Sequence, residues 1–288
     1  MSDATIGVIG GSGLYDMPGL VEHEELEIDT PFGAPSDRFV LGTLAGQRVA
    51  FLPRHGRGHR LLPSEVPSRA NIYAFKQLGV QRLISVSAVG SLREELPPGR
   101  MVVPDQLVDR TKGVRPFTFF GAGIVAHVPF DKPFCSQTRA ALCEAVRSTG
   151  QQVAEQATLC VMEGPQFSTL AESELHRRNS FDLIGMTALP EAKLAREAEL
   201  CYATLALVTD YDCWHPSHDS VTVEAVMQVM QQNVANAQAA LAALVPLLAV
   251  ERTCQCGSAL QNAIMTRPQL IPEETRERLQ LIIGKYVG

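Results

Sequence analysis

No stretch of the chain approaches the roughly 18 consecutive apolar residues that a membrane helix needs, which argues against a membrane-spanning role. The opening MSDATIGVIGGSG lacks a basic segment, an apolar run and a small-residue cleavage site in succession, so the expected location is the cytoplasm. A basic excess is also missing. With 25 Lys and Arg against 31 Asp and Glu, the net charge of −6 speaks against a broad nucleic-acid footprint and leaves a local anion site open. The seven cysteines are odd in number and scattered, a pattern of reduced thiols rather than a disulfide framework. Cys254-Gln255-Cys256 stands apart, and its two thiols are either free or paired. No repeat, low-complexity tract or clear linker divides the sequence. The expected organisation is one domain, residues 1–249, with a C-terminal helical extension, residues 250–288, packed on it.

At 288 residues and 45% hydrophobic content the chain has the makings of a large core; a domain of this size buries about three quarters of its unfolded surface. The apolar run Tyr202 to Val208 reads as a buried strand, and it delivers Thr209-Asp210-Tyr211-Asp212-Cys213-Trp214 at its carboxyl end. Open α/β sheets bind their ligands at that edge. Two carboxylates spaced i and i+2 along an extended segment point the same way. They suit a planar ligand with two donors along one edge, such as an adenine protonated on its imidazole ring with the exocyclic amine beside it. The plainer reading is a helix cap or a solvated loop.

Three further apolar runs end in glycine- or hydroxyl-bearing segments. Ile6–Ile9 leads into Gly10-Gly11-Ser12-Gly13-Leu14, which is either a phosphate cradle or a plain turn. It is not a dinucleotide fingerprint, because the third glycine position is Asp16. This weakens the rival reading of a nucleotide-binding oxidoreductase. Two runs between Phe39 and Leu52 flank Ala45-Gly46 as a hairpin, and the second leads into Arg54-His55-Gly56-Arg57-Gly58-His59-Arg60. That segment reads as a mobile cationic loop, suited to a phosphate or simply solvated. Arg82–Val86 is the third strand, followed by the loop Ser87-Ala88-Val89-Gly90-Ser91. If these strands are neighbours, Ser12, Arg54 and Ser87 converge on one anion. Helices are expected at 68–78, 136–149, 169–178 and 192–198, with strands at 153–162 and 183–186. A long apolar stripe begins at Val223, Val226 and Met227 and should end or kink at Pro246. A shorter helix follows near Leu279.

Six ordered motifs remain: Gly10-Gly11-Ser12-Gly13-Leu14, Arg54-His55-Gly56, Ser87-Ala88-Val89-Gly90-Ser91, Glu163-Gly164-Pro165-Gln166-Phe167-Ser168, Gly185-Met186-Thr187 with Pro190-Glu191, and Asp210-Tyr211-Asp212-Cys213-Trp214. Together they resemble the trimeric purine nucleoside phosphorylase family and its methylthioadenosine branch, over roughly residues 5 to 249. The resemblance implies an α/β single domain whose central mixed β-sheet is flanked by helices. It also implies a homotrimer and phosphate-dependent cleavage of 5′-methylthioadenosine to adenine and 5-methylthioribose 1-phosphate. Neither cofactor nor metal is expected, since inorganic phosphate is the co-substrate. Carried over by motif, Ser12, Arg54, His55, Ser87, the Ala88 amide and Thr187 hold phosphate. Met186 lies under the ribose, Phe167 and Ser168 border the base, Asp210 handles the proton on purine N7, and Asp212 accepts from the exocyclic amine. His127 falls where the family brings a histidine from a neighbouring subunit to the 5′ end, beside an apolar wall of Val223, Val226 and Met227. Gln166 stands where many relatives have arginine and inherits no role. The family also contains longer members in which cysteines such as Cys254 and Cys256 pair. A broader purine nucleoside phosphorylase, or one acting on methylthioinosine, is the nearer alternative.

Overall fold

The computed structural model describes residues 4–11, 13, 14, 17–216 and 222–287. The strands begin with β1 (Ile6–Gly10), β2 (Val21–Leu26), β3 (Phe39–Leu44) and β4 (Gln47–Pro53). β3 and β4 form the expected hairpin, with Ala45 and Gly46 both at positive φ as a tight primed turn requires. Helix α1 (Ser68–Gln77) leads to β5 (Arg82–Ser91), then β6 (Met101–Val102), β7 (Gln106–Arg110) and helix α2 (Ser136–Ser148). Next come β8 (Val153–Ala154), β9 (Thr158–Met162), α3 (Leu170–Arg178), β10 (Leu183–Gly185), α4 (Ala188–Glu197) and β11 (Cys201–Asp210). The chain closes with α5 (Val223–Leu247), α6 (Glu273–Arg278) and α7 (Gln280–Val287).

These strands make one mixed sheet whose path runs β2-β3-β4-β1-β5-β10-β9-β7, with β11 also on β5 and β6 bridging β11 to β8. Four strands that matter for the site, β4, β1, β5 and β11, are neighbours in that order and mutually parallel, so their carboxyl ends share one edge. The sheet forks at the end of β5. Gly90 pairs with Asp210 on parallel β11 and with Ile184 on antiparallel β10. Two strands diverging from one leave a crevice at the carboxyl edge, where ligands of open α/β sheets sit.

Two strand expectations are corrected. β5 does not stop at Val86 but continues through Ser91, because β11 and then β10 supply partners for the backbone of Ser87 to Ser91. The apolar stretch 153–162 is two strands, not one: β8 pairs with β6, while β9 pairs with β7 and β10. Edge strand β2, Val-Glu-His-Glu-Glu-Leu, is largely exposed and too acidic to read as a strand from its pattern.

Helices behave as their sequences dictate. Thr169 and Glu172 close a reciprocal capping box at the start of α3. α4 is kinked at Leu189, whose extended backbone is what the ring of Pro190 imposes on the residue before it. α5 ends one residue past Pro246. The buried side chains form two large layers on the two faces of the sheet. One includes Leu260, Ile271, Leu279, Ile282 and Ile283 from the C-terminal segment together with Phe39, Phe75 and Tyr202. That segment is also tied down by the buried carboxylate of Glu199. Its Oε1 accepts from the Leu260 amide and the Tyr286 hydroxyl, and its Oε2 lies 2.6 Å from Lys285 Nζ.

Candidate active site

The aspartate pair sits at the fork, but the segment is a turn rather than an extended strand. A register shift between Val208 and Asp210 ends β11, and Asp212 adopts φ +52°. Asp210 Oδ1 accepts the Asp212 amide at 2.7 Å, an Asx turn, and its Oδ2 accepts the Thr209 hydroxyl at 2.7 Å. Both Asp210 oxygens therefore have partners. Asp212 differs: it is 5% exposed, and its Oδ2 makes no hydrogen bond among the described residues. The Ser173 hydroxyl on α3 and the Ser168 hydroxyl stand beside this carboxyl and pull its pKa back, but neither makes a well-formed hydrogen bond to Oδ2. Burial raises the pKa of both carboxyls above the ordinary aspartate value. For Asp210 the Thr209 hydroxyl and Asp212 amide pull it back and the Asp212 charge adds to the rise. The turn is held by Trp214, whose indole N–H donates to Ser91 O at 2.8 Å while the Arg177 guanidinium lies over its ring.

Glycine at position 90 is dictated by this arrangement. A Cβ there would stand 2.9 Å from Asp210 Oδ1 and 3.0 Å from Ile184 Cγ2. Gly164, at φ +68°, is similarly pressed against Met186, since a Cβ would come within 2.5 Å of Met186 Sδ. Met186 is half-buried between β10 and α4.

On the adjacent strand ends, the segment after β4 is not a free cationic loop. It is a compact turn, with Arg60 and Leu61 amides both donating to His55 O. Arg57 pairs with Asp37 and Glu25, and Arg60 lies 3.8 Å from Asp37, so acidic groups distant in sequence neutralise the outer part. Arg54 points inward and is 2% exposed. Its Nε donates to Glu191 Oε1 at 2.5 Å, Nη1 to Val86 O, and Nη2 to Ser85 Oγ and Ile9 O, with Glu191 Oε2 at 3.3 Å. One Nη1 hydrogen is left over among the described residues. His55 places Nδ1 2.8 Å from Leu61 O and stacks on His59 at 4.3 Å. A carbonyl only accepts, so Nδ1 carries the hydrogen and neutral His55 offers a bare Nε2. Burial, and next the Arg54 charge, lower its pKa to about 4, so the neutral form prevails at pH 7.

Ser87 is buried and Ala88 half-buried on β5, beside the β1 and β11 ends. Thr187 immediately precedes α4 and its hydroxyl caps nothing. Ser12 lies outside the described residues. Gly13 beside it is anchored to α5 by the Gln238 amide at 2.6 Å. Phe167 is 45% exposed, and Ser168 is half-buried with its carbonyl accepting from the Cys213 thiol. Val223 and Met227 are exposed on the first turns of α5, with Val226 half-buried. His127 is exposed on a separate surface, its amide bonded to Ala263 O. It borders an apolar hollow of about 410 Å³ lined by Phe117, Phe120, Val125 and Phe130. The chain alone does not bring His127 to the aspartates' edge of the sheet.

Sequence reasoning passed over two residues that organise the site. Glu191 was visible within its motif, but nothing local marks it as the partner of Arg54. Buried Arg115 donates to Glu163 Oε1, Met186 O and Leu189 O, joining the 163–168 segment to the Met186 segment. No local pattern flags it.

Comparison with known proteins agrees with this geometry. Residues 5–246 match the phosphorylase superfamily. An S-methyl-5′-thioadenosine phosphorylase from Chloroflexus aurantiacus is 61% identical over 286 residues, 99% of each chain. The crystal structure of a methylthioadenosine phosphorylase sourced from an Antarctic soil metagenomic library has a TM-score of 0.93 at 50% identity, covering 98% of this chain and 99% of that one. Methylthioadenosine phosphorylase from Schistosoma mansoni in complex with adenine has a TM-score of 0.84 at 36% identity, covering 90% and 96%. On matches of this length and identity, the chain belongs to the phosphorylase superfamily and, within it, to the methylthioadenosine phosphorylases.

Proposed function

We propose that this chain cleaves 5′-methylthioadenosine with inorganic phosphate, giving adenine and 5-methylthioribose 1-phosphate. The observation that carries the base assignment is the buried, unpartnered Oδ2 of Asp212 beside Asp210. A buried acceptor without a donor costs about 1–3 kcal/mol, more when charged, and a ligand amine removes that cost. The exocyclic amine of adenine is such a donor, whereas a 6-oxo group presents a second acceptor. Asp210, its carboxyl biased toward protonation by burial, serves purine N7.

In the reaction a phosphate oxygen bonds to the anomeric carbon as the bond from that carbon to N9 breaks. The purine leaves with the electron pair, and a proton at N7 neutralises it. Stabilising charge that exists only in the transition state is what accelerates the step. Phosphate is assigned to Ser12, Arg54, His55, Ser87, the Ala88 amide and Thr187. Bare Nε2 of His55 suits monohydrogen phosphate, whose one hydroxyl donates to it, while the spare Nη1 hydrogen of Arg54 and the uncommitted Thr187 hydroxyl donate to the anionic oxygens. Met186 packs under the ribose, and Phe167 and Ser168 border the base. The reaction balances with phosphate as the only co-substrate.

The 5′ end is assigned to Val223, Val226 and Met227, completed by His127 from a second copy of the chain. Exposed Phe117, at 50%, and Val125, at 50%, make the surface beside His127 suited to burial against a like subunit, and a cyclic trimer closes such a head-to-tail contact. Among the described residues no helix is long and apolar enough to cross a membrane, and the cytoplasm is the assigned location.

Product analysis with methylthioadenosine, with and without phosphate, tests the reading. Adenine and the sugar 1-phosphate are expected in phosphate buffer and neither without it. Adenine and free methylthioribose in phosphate-free buffer would make the chain a hydrolase.

A further inference from the structure

Four of the seven cysteines meet at the opposite end of β11 from the aspartates. Cys135 is the residue capping α2, Cys201 opens β11, and Cys254 and Cys256 come from the C-terminal segment, Cys256 within a one-turn helix at Gln255–Ser258. Their four Sγ atoms all lie within 4.8 Å of one another. Three of the residues are buried and Cys254 is half-buried. The backbone holds two of them in place: the Cys135 amide donates to Tyr202 O at 2.8 Å, and the Cys201 amide to Gln81 O at 2.9 Å.

From this geometry we infer that Cys135, Cys201, Cys254 and Cys256 form a structural zinc site that fastens the C-terminal segment to the body of the protein. Sulfurs at about 2.3 Å around a tetrahedral zinc stand ~3.8 Å apart, so a set within 4.8 Å closes on the ion with small side-chain rotations. The crowding is mutual rather than pairwise. Cys201 Sγ and Cys254 Sγ are 3.3 Å apart without being bonded, and all seven cysteines are free thiols. Four soft, all-sulfur ligands in a closed shell select zinc among the common divalent ions and leave no open position for a substrate.

A divalent cation placed among the four sulfurs supplies the charge that ionises the thiols. Binding converts one Zn²⁺ and four thiols into a tetrathiolate dianion, the protons passing to solvent. Half-exposed Cys254 gives the metal a way in. Nine residue steps separate Cys201 from Asp210, about 30 Å along a strand, so the site is structural and distinct from the catalytic edge.

The test uses the full chain. Elemental analysis of protein isolated with reductant is expected to give one zinc per chain. The reduced, chelator-stripped chain titrated with Co²⁺ should develop the thiolate charge-transfer and tetrahedral d–d bands of a cobalt tetrathiolate, saturating at one equivalent. Cys135→Ser and Cys254→Ser should lose the metal, while Cys143→Ala, outside the cluster, should retain it. Stripping should lower the melting temperature, whereas reductant alone should leave it unchanged. Should the serine variants not fold, the cobalt titration of the unaltered chain decides. A reduced chain that leaves Co²⁺ in its hydrated form, or peptide mapping that finds these cysteines disulfide-paired in the isolated protein, overturns the inference.

Discussion

Arg54 and Glu191 are 137 residues apart and nearly fully buried, and the substitution Glu191→Gln isolates what their contact does. The parent carboxylate accepts from Arg54 Nε and Nη2 and from the Tyr202 hydroxyl. Glutamine keeps the shape but removes the charge and substitutes one acceptor by a donor, which then faces either the guanidinium or Tyr202. Because burial already disfavours the Arg54 cation and Glu191 is what holds it charged, the variant carries a buried arginine without compensation. Breaking such a pair by removing one partner costs about 3–5 kcal/mol, a large share of the ~5–15 kcal/mol typical of a folded domain. At ~2–4 °C per kcal/mol for chains of this order, the melting temperature should fall by roughly 10 °C. Phosphate offers a countercharge. If Arg54 borders the phosphate position, saturating phosphate should raise the melting temperature of Glu191→Gln by more than it raises that of the parent. Calorimetry or urea unfolding, with sulfate-free buffer and graded phosphate, reads both effects. A variant within ~1 kcal/mol of the parent, or one that gains no more from phosphate, refutes the reasoning. The same network makes Arg54→Ala a folding variant first, since it would strand Glu191 and two backbone carbonyls.

Glu197, raised to about 7 by burial despite bonds from the Phe119 amide and Thr118 hydroxyl, binds a proton in the folded chain that the unfolded chain has lost, so its contribution to stability, about 3 kcal/mol, falls as pH rises from 4.5 to about 7. His55, lowered to about 4, has the opposite sign, its contribution rising between about pH 4 and 6.5; over pH 4.5 to 6.5 the two nearly cancel, so relative to the parent Glu197→Gln should gain stability as pH rises through that window and His55→Gln should lose it, and parallel curves for parent and variants would contradict both. Asp212→Asn should narrow the ratio of kcat/KM for methylthioadenosine over methylthioinosine, which in the parent should reach roughly ten-thousandfold, and a parent that cleaves both equally well refutes the base assignment. Gly90→Ala should depress kcat far more than stability, because its Cβ displaces Asp210; unchanged kcat would remove Asp210 from the chemistry.

The elements were largely legible because periodicity and punctuation are local. Ala45-Gly46, the Gly79 stop after α1, Thr169 with Glu172, and Pro246 each act within a few residues of themselves. What escaped depends on partners far along the chain. Ser87 to Ser91 reads as a loop until β10 and β11 are present to pair with it. Arg57 reads as a free cation until Asp37 and Glu25 fold against it. The condition set for Ser12, Arg54 and Ser87 to converge, that their strands be neighbours, is met by adjacent and parallel β4, β1 and β5, with β11 alongside, although Ser87 lies within β5 and Ser12 lies outside the described residues. The cysteine set was seen only as Cys254 and Cys256, because no pattern within a sequence window links them to Cys135 and Cys201.

The aspartate turn departs from the extended geometry that local reasoning expects of Asp210 and Asp212. An extended i, i+2 pair would have presented two equivalent carboxylates. Instead the register shift after Val208 lets Asp210 bind the amide of Asp212 and fix it at φ +52°, a conformation that costs a non-glycine residue of order 1–3 kcal/mol. That cost produces inequivalence: Asp210 is held on both oxygens, whereas Asp212 keeps one oxygen buried and unmet. A carboxyl gripped by neutral donors stays in place while its proton comes and goes, which suits exchange with N7. One left without a donor gains most when a ligand supplies an amine, which suits recognition. Strain in the backbone of Asp212 thus makes two chemically identical side chains inequivalent, as the proposed division into one that handles a proton and one that reads the base requires. Trp214, bonded to Ser91 and covered by Arg177, keeps the turn from relaxing into the extended form that would make them alike.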